Sequence, residues 1–430
     1  MAMVVKNNMS AISTLNTLNK NSSALAKSLA KVSSGMKINS AADDASGYAI
    51  SERMRVQIRS LDQDNQNTQN GQSMMKVAEG AVSSTVEILK TLKEKVINAA
   101  NDTNTDADRQ TIQKELDQSV DQINDNAVIT FNGKYLVDGS HNTSVAATTT
   151  SLTNESLSEK TTFDAEFTSL KDRNGNSLKI QKSDTVTLSY VKQGKTYTTS
   201  VKAEGNSLKT LVEKTKDLKV GNNTSVIGKN VAGDTVYTAD GKKGLTITAA
   251  GTGLDNQIAG ITISVTNSEG EIQKSVNAVL DNFSETIRAQ DNSDDNAIVL
   301  QTGTKANQAI KVGLTDMRAE ALGLQSSTGQ TLNISTQEYA NAAINVLDTA
   351  VQKALDKQTT IGSVESRLEY TSTNLTTASE NVQSSESTIR DADMAKEMTN
   401  YTKNNVLLQA AQSMLAQANQ NSSAVLSLLQ

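Results

Sequence analysis

Ile361-Gly-Ser-Val-Glu-Ser-Arg-Leu-Glu-Tyr-Thr-Ser-Thr-Asn-Leu-Thr-Thr-Ala-Ser-Glu-Asn-Val-Gln-Ser-Ser-Glu-Ser-Thr-Ile389 carries an apolar residue at every seventh position: Ile361, Leu368, Leu375, Val382 and Ile389. Val364, Ala378 and Ala392 occupy the d positions between them. Seven residues are close to two helical turns, so this repeat keeps one stripe turned toward a partner helix, the seam of a coiled-coil-like helix. The seam continues through Met394, Met398, Tyr401, Leu408, Ala411, Leu415 and Ala418 at spacings of 4, 3, 7, 3, 4 and 3. A helix of about 50 residues rises about 75 Å, far more than a globular helix.

The N-terminal arm supplies the partner. Leu15, Leu18, Leu25, Leu29, Val32 and Met36 follow at spacings of 3, 7, 4, 3 and 4, and Met75, Ala78, Val82, Leu89, Leu92, Val96 and Ala99 form a second run. A third helix begins near Asp106 and turns Ile112, Leu116 and Ile123 to one face. It ends before Phe131-Asn-Gly-Lys134, where Asn-Gly marks a turn. The expected result is a long antiparallel helical rod made by both ends of the chain. The absence of proline suits it, since proline breaks helix interiors.

Between the arms the composition changes. Of 23 glycines, four lie in residues 1–130 and fourteen between Gly133 and Gly270, and no Met occurs between Met75 and Met317. Apolar residues alternate with Ser and Thr in Asp184-Thr-Val-Thr-Leu-Ser-Tyr190, which predicts a strand, as do Thr196–Lys202, Gly244–Ala249 and Gly260–Thr266. One helix is expected over Ser207–Leu218. The fold class is therefore α+β, a helical rod with a central β-rich outer domain inserted.

Several function classes are excluded. A net charge of −6 leaves no general basic footprint for nucleic acid. No run of 18 apolar residues is present, so no membrane insertion is expected, and residues 1–25 lack the apolar run of a cleaved secretory signal. Without cysteine there is no disulfide framework or thiolate metal site. The single histidine, His141, stands alone in a Ser/Thr/Asn loop, and Asp291, Asp294 and Asp295 lack the spacing and bidentate Glu of a calcium loop. No catalytic, metal or cofactor residues are expected, and the chain is read as non-enzymatic. Residues 1–42 hold five Lys and no acid, and residues 399–430 hold only Lys403. Nearly uncharged termini suit close packing of many copies about an axis.

Ser34-Gly-Met-Lys-Ile-Asn-Ser-Ala-Ala-Asp-Asp-Ala-Ser-Gly-Tyr-Ala-Ile-Ser-Glu-Arg-Met54 closely resembles the N-terminal signature of bacterial flagellins. Arg390-Asp-Ala-Asp-Met394, Leu415-Ala-Gln-Ala-Asn-Gln420 and Val425-Leu-Ser-Leu-Leu429 resemble the same family at the other end, and the likeness covers roughly residues 1–138 and 297–430. It departs at Asn421-Ser422-Ser423, where many flagellins carry a proline. Val299-Leu-Gln-Thr-Gly-Thr-Lys305 onward to Ala321-Leu-Gly-Leu324 is similar to the flagellin hairpin that packs on the rod.

The resemblance implies five segments. Residues 1–43 and 391–430 are the two halves of an inner core domain, 44–140 and 296–390 the two halves of the rod, and 141–295 a variable outer domain. It implies a secreted, extracellular subunit of the flagellum that self-assembles into the filament for motility. The inner helices order on polymerisation, because an isolated two-helix stripe buries too little to offset its ordering entropy. Leu15, Leu18, Leu25, Leu29, Val32, Met36, Met398, Leu408 and Leu415 are the expected assembly core. Export through a flagellar type III channel, an export chaperone on the C-terminal helix, a cap protein and hook-junction proteins are implied as partners.

Residues Lys90–Ala100 align with the epitope of the vertebrate flagellin-sensing Toll-like receptor, and Glu94 and Glu115 match it. Thr91 and Lys93 stand where strongly recognised flagellins carry arginines, and Lys95 replaces a leucine. Neither Thr nor Lys reproduces the five-donor fork of arginine, so retained but weakened binding with poor activation is expected. The Ser/Thr-rich stretch Asn142–Thr161 reads as an outward loop open to O-linked glycans. Two alternatives stand beside the filament reading: a hook-filament junction protein, separated by copy number, and an insert serving as an adhesin, with Tyr190, Tyr197 and Tyr237 as its candidate contacts.

Overall fold

The computed structural model describes residues 8–428, so Leu429 of the C-terminal motif and the first seven residues of the inner segment lie outside the described residues. Three helices come first, α1 Met9–Ser34, α2 Ala45–Ala99 and α3 Asp106–Ala127, then the short strands β1 Thr130–Phe131 and β2 Lys134–Tyr135. The centre holds β3 Ser151–Asn154, β4 Thr185–Lys192, β5 Lys195–Lys202, α4 Leu208–Glu213, β6 Leu218–Thr224, β7 Val226–Lys229, β8 Thr235–Tyr237, β9 Gly244–Ala249, β10 Ile258–Thr266, α5 Lys274–Leu280 and β11 Phe283–Ile287. The chain closes with β12 Ile298–Gln301, β13 Ala309–Val312, α6 Ala319–Leu322, α7 Gln337–Arg390 and α8 Met394–Leu428. Long helices at both ends and a β-rich centre are thus the observed architecture. The chain divides into two compact units: one holds residues up to Asn67, Thr302–Gln308 and everything from Tyr370, and the other holds Thr68–Gln301 and Ala309–Glu369.

In the second unit the heptad positions form the core. Met75, Ala78, Val82, Leu89, Leu92, Val96 and Ala99 are all buried, together with Leu116, Val120 and Ile123 of α3 and Ala343, Val346, Leu347, Ala350, Ile361 and Leu368 of α7. Lys76 pairs with Glu365 at 3.9 Å and Lys93 pairs with Asp348, so α2 and α7 run antiparallel here. Helix α3 starts on a capping box, with Thr105 and Asp108 satisfying each other's free N–H groups. Buried Arg109 donates to Ala99 O at 2.9 Å and Asn101 O at 3.1 Å, which covers carbonyls that the end of α2 leaves open. The Asn132-Gly133 turn has φ of 50° and 77°, as a two-residue hairpin with this twist requires.

The central region packs two antiparallel sheets, ordered β10-β4-β5 and β11-β3-β9-β6, around a second core that includes Phe167, Leu188, Leu211, Ile247, Ile261 and Ile263. Strands β4, β5, β9 and β10 lie where alternation predicts them. The helix expected over Ser207–Leu218 is shorter: Ser207 caps α4, which stops at Glu213, and Leu218 already begins β6. The outward loop expected at Asn142–Thr161 is a larger correction. Ser151–Asn154 are fully buried as β3, an inner strand, and Thr153 shares hydroxyl hydrogen bonds of 3.0 Å with both Thr246 and Thr286. Paired hydroxyls let polar side chains lie in the interior, which is why composition alone read them as surface.

Strand β10 sits directly on α7. Gly260 makes the approach feasible, since a Cβ there would lie 3.0 Å from Val346 N. Asn345 Nδ2 donates to Ile261 O at 3.1 Å, Thr262 Oγ1 at 2.9 Å and Asp281 Oδ2 at 3.1 Å, and Ile263 N donates to Asp281 Oδ1 at 3.0 Å. Burial pushes the Asp281 carboxyl up to about 6, against the hydrogen bonds that favour its charged form. The native state therefore holds a proton that the unfolded chain has released, and stability rises as pH falls through 6 toward 4. Asp281→Asn removes the buried charge and should flatten this part of the curve, as thermal melts between pH 4 and 8 would reveal.

Candidate functional site: the terminal helix pair and its junction

Helix α1 begins at Asn8, whose side chain accepts from Ala11 N, and ends at Gly35 in the left-handed region (φ 72°), the usual helix-stopping geometry. Its partner is α8, running antiparallel. Asn8 Nδ2 donates to Ala418 O and Asn21 Nδ2 to Leu407 O, both at 3.2 Å, while Asn404 Nδ2 donates to Ser28 Oγ at 3.1 Å. The contact stripe is consequently built on amides and small residues, with Ser28 and Ala411 its most buried members.

Leu18, Leu25, Val32, Met36, Leu408 and Leu415 are half-buried along this stripe. Leu15, Leu29 and Met398 are not part of it; they are 45%, 52% and 46% exposed. This corrects the expected seam. Leu29 follows buried Ser28 by one residue, about 100° round the helix, so a stripe centred on Asn21 and Ser28 turns it aside. Ile12, Met394, Val406, Leu407 and Met414 are likewise exposed. Each helix thus carries more apolar surface than one partner can cover, and the surplus lies outside the pair.

Both arms break at the same level. Met36 and Asp391 form an antiparallel bridge, with Lys37 N donating to Arg390 O at 2.7 Å and Ala392 N to Gly35 O at 2.9 Å. Arg390 is the clasp. Its guanidinium is almost wholly buried and donates to Glu52 Oε1 at 2.6 Å and, more weakly, to Ser51 Oγ at 3.4 Å. It also contacts Met36 Sδ at 3.2 Å and lies over the Tyr48 ring, 5.5 Å from its centroid. The hydrogen bond from Arg390 holds the Glu52 carboxyl below the usual range.

The remaining signature residues shape this turn. Asp43 Oδ2 accepts from Asn39 N and Ser40 N at 3.1 Å, and these bonds hold its carboxyl low. Asp44 Oδ1 accepts from Ser46 N and Gly47 N at 3.0 Å and so starts α2. A Cβ on Gly47 would meet Asp44 Oδ2 at 2.6 Å and Ile38 Cδ1 at 2.7 Å, so the position is closed to larger residues. Spacing alone gives no hint that Arg390 reaches Tyr48 and Glu52; only the two motifs, read together, single these residues out. Arg390→Lys keeps the charge but loses the fork, and should leave helical content intact while exposing the 35–44 turn to limited proteolysis.

The residues aligned with the receptor epitope lie on α2 and α3. Lys95 Nζ is 3.0 Å from Glu115 Oε1, Lys93 is paired with Asp348, and Thr91 Oγ1 donates to Glu87 O at 3.1 Å. Thr91, Glu94 and Glu115 are exposed. His141 Nδ1 lies 3.2 Å from Asn296 O, and Asp291 and Asp295 are engaged by Leu254 N and Lys311. Tyr190 is buried, whereas Tyr197 and Tyr237 are exposed. No group of three or more metal-ligating side chains occurs among the described residues, and no helix among them is long and apolar enough to cross a membrane.

Residues 5–143 match the bacterial flagellin N-terminal helical region and residues 344–429 the bacterial flagellin C-terminal helical region. A flagellin of Clostridium tyrobutyricum is 33% identical over 429 residues, covering 97% of this chain and 99% of its own length. A flagellin of Bacillus subtilis is 28% identical over 447 residues, covering 99% and 100%. The flagellar filament 33 kDa core protein of Treponema phagedenis is 28% identical over 428 residues, covering 99% and 100%. The junction and the paired terminal helices fall inside the matched regions, and the chain belongs to the bacterial flagellins.

Proposed function

We propose that this flagellin polymerises through the apolar residues that α1 and α8 leave uncovered, with Leu15, Leu29 and Met398 packing against neighbouring copies and Leu18, Leu25, Val32, Met36, Leu408 and Leu415 completing the same core. Flagellins are a structural family whose members form the extracellular flagellar filament, and the exposed stripe beside an amide-rich pair is the observation that carries the reading. The exposed side chains are too numerous and too regularly placed for a helix pair that works alone. Within the proposal, residues 1–43 and 391–430 form the inner core, 44–140 and 296–390 the surrounding helical layer, and 141–295 the outward domain. Torque transmission then needs no catalytic group, and none is assigned.

Export through a flagellar type III channel, a chaperone on α8, a cap protein and hook-junction proteins complete the set of partners. Because the chain has no cysteine, single substitutions can report contacts cleanly. A Leu29→Cys, Met414→Cys chain should crosslink between copies in filaments and not in dilute monomer; equal crosslinking in both would overturn the assignment. We assign weakened Toll-like receptor recognition to Thr91, Lys93 and Lys95, with Glu94 and Glu115 retained. Thr91→Arg together with Lys95→Leu should raise receptor-reporter activation by roughly tenfold, the worth of one charge-assisted hydrogen bond; an unchanged dose response would remove these residues from the epitope.

A further inference from the structure

In the second unit, the segments that enter and leave the central sheets meet α7 around a half-open cavity of about 240 Å³. Three buried polar atoms on its lining residues find no hydrogen-bond partner in the protein: Gln290 Oε1, Thr315 Oγ1 and Lys353 Nζ. Lys353 Nζ lies 3.2 Å from Glu285 Oε1, but the approach is poorly directed and neither atom completes a hydrogen bond. Buried groups in this state are costly unless something fills the space and satisfies them.

The lining is also bipolar. Lys357 contributes a cation with no ion-pair partner among the described residues, while Asp291 and Asp138 contribute carboxylates that accept only backbone or hydroxyl hydrogen bonds. A simple anion would satisfy the lysines and leave Gln290 Oε1 without a donor. A simple cation would do the reverse. We propose that the cavity binds a small zwitterion, a free α-amino acid, with its carboxylate on Lys353 and Lys357 and its ammonium group on Gln290 Oε1 and Asp291. A side-chain hydroxyl on that amino acid meets Thr315 Oγ1, which makes L-serine the natural probe. Burial, with Arg288 nearby, pushes the Lys357 amine down to about 8, and a carboxylate seated beside it would oppose that shift.

The test is calorimetric titration of the full-length monomer with L-serine, acetate and ethylamine, repeated on Lys357→Met and Gln290→Leu variants whose melting midpoints are checked first. The expected result is one-site saturable binding of L-serine, with acetate and ethylamine each roughly tenfold weaker or more, and with each folded variant weakened by a similar factor. Absence of saturable binding by L-serine would mean that water alone fills the cavity, and the proposal would fall. Acetate binding as tightly as L-serine, or unchanged affinity in both folded variants, would also overturn it.

Discussion

Replacing Leu89 with alanine should cost the isolated monomer about 2–5 kcal/mol, whereas Leu29→Ala should leave its unfolding within about 0.5 kcal/mol and still stop filament growth. Leu89 is 0% exposed in the α2 core, so truncation there opens a cavity among packed neighbours. Leu29 is 52% exposed, and in the monomer there is little packing to lose. In a filament, covering that leucine is worth roughly 1.5–3 kcal/mol per copy, enough to shift elongation far toward free monomer. Urea unfolding of each variant beside seeded elongation separates the two effects. A Leu29→Ala chain that elongates normally would show that the exposed stripe is not the contact.

The second large effect lies at the ion pair between the central sheets and α7. Lys353→Met should destabilise the second unit by about 3–5 kcal/mol, because it strands the Glu285 carboxylate in a buried site. Both side chains are almost wholly inaccessible, 7% and 5% exposed, and burial pushes the Lys353 amine down and the Glu285 carboxyl up. Arg288, 3.9 Å from Glu285 Oε2, gives only partial compensation. Glu285→Gln added to Lys353→Met should recover most of the loss. The single variant should also regain stability as pH falls, since a carboxyl with a raised native pKa takes up its proton before the unfolded chain does. A loss independent of pH would point to packing instead.

The helices were legible in the sequence because their signal is periodic. Seven-residue spacing placed Ile361 and Leu368 in the core, and the Met75–Ala99 run is buried at every position named. Where the spacing fails is instructive. At Leu15, Leu29 and Met398 a seam pattern records apolar surface, but it cannot say which partner covers it, and the α1–α8 contact is centred on Asn21, Ser28 and Asn404 instead. In the central region the alternation of β4 and β10 was readable, while β3 was not, because its Ser, Thr and Asn are buried by mutual hydrogen bonding. The clasp was visible only as two motifs far apart in the chain; what joins them is the reach of one arginine to Tyr48 and Glu52.

The account rests on the terminal helices as the polymerising element, and seeded polymerisation tests it most directly. Purified full-length monomer is mixed with short filament fragments and imaged by electron microscopy beside a chain lacking residues 391–430. Filaments of uniform width from the full chain and none from the truncated one are the predicted result. A full-length chain that stays monomeric under seeding, or a truncated chain that elongates equally well, would contradict it, and the former would make a low-copy junction role the reading to pursue.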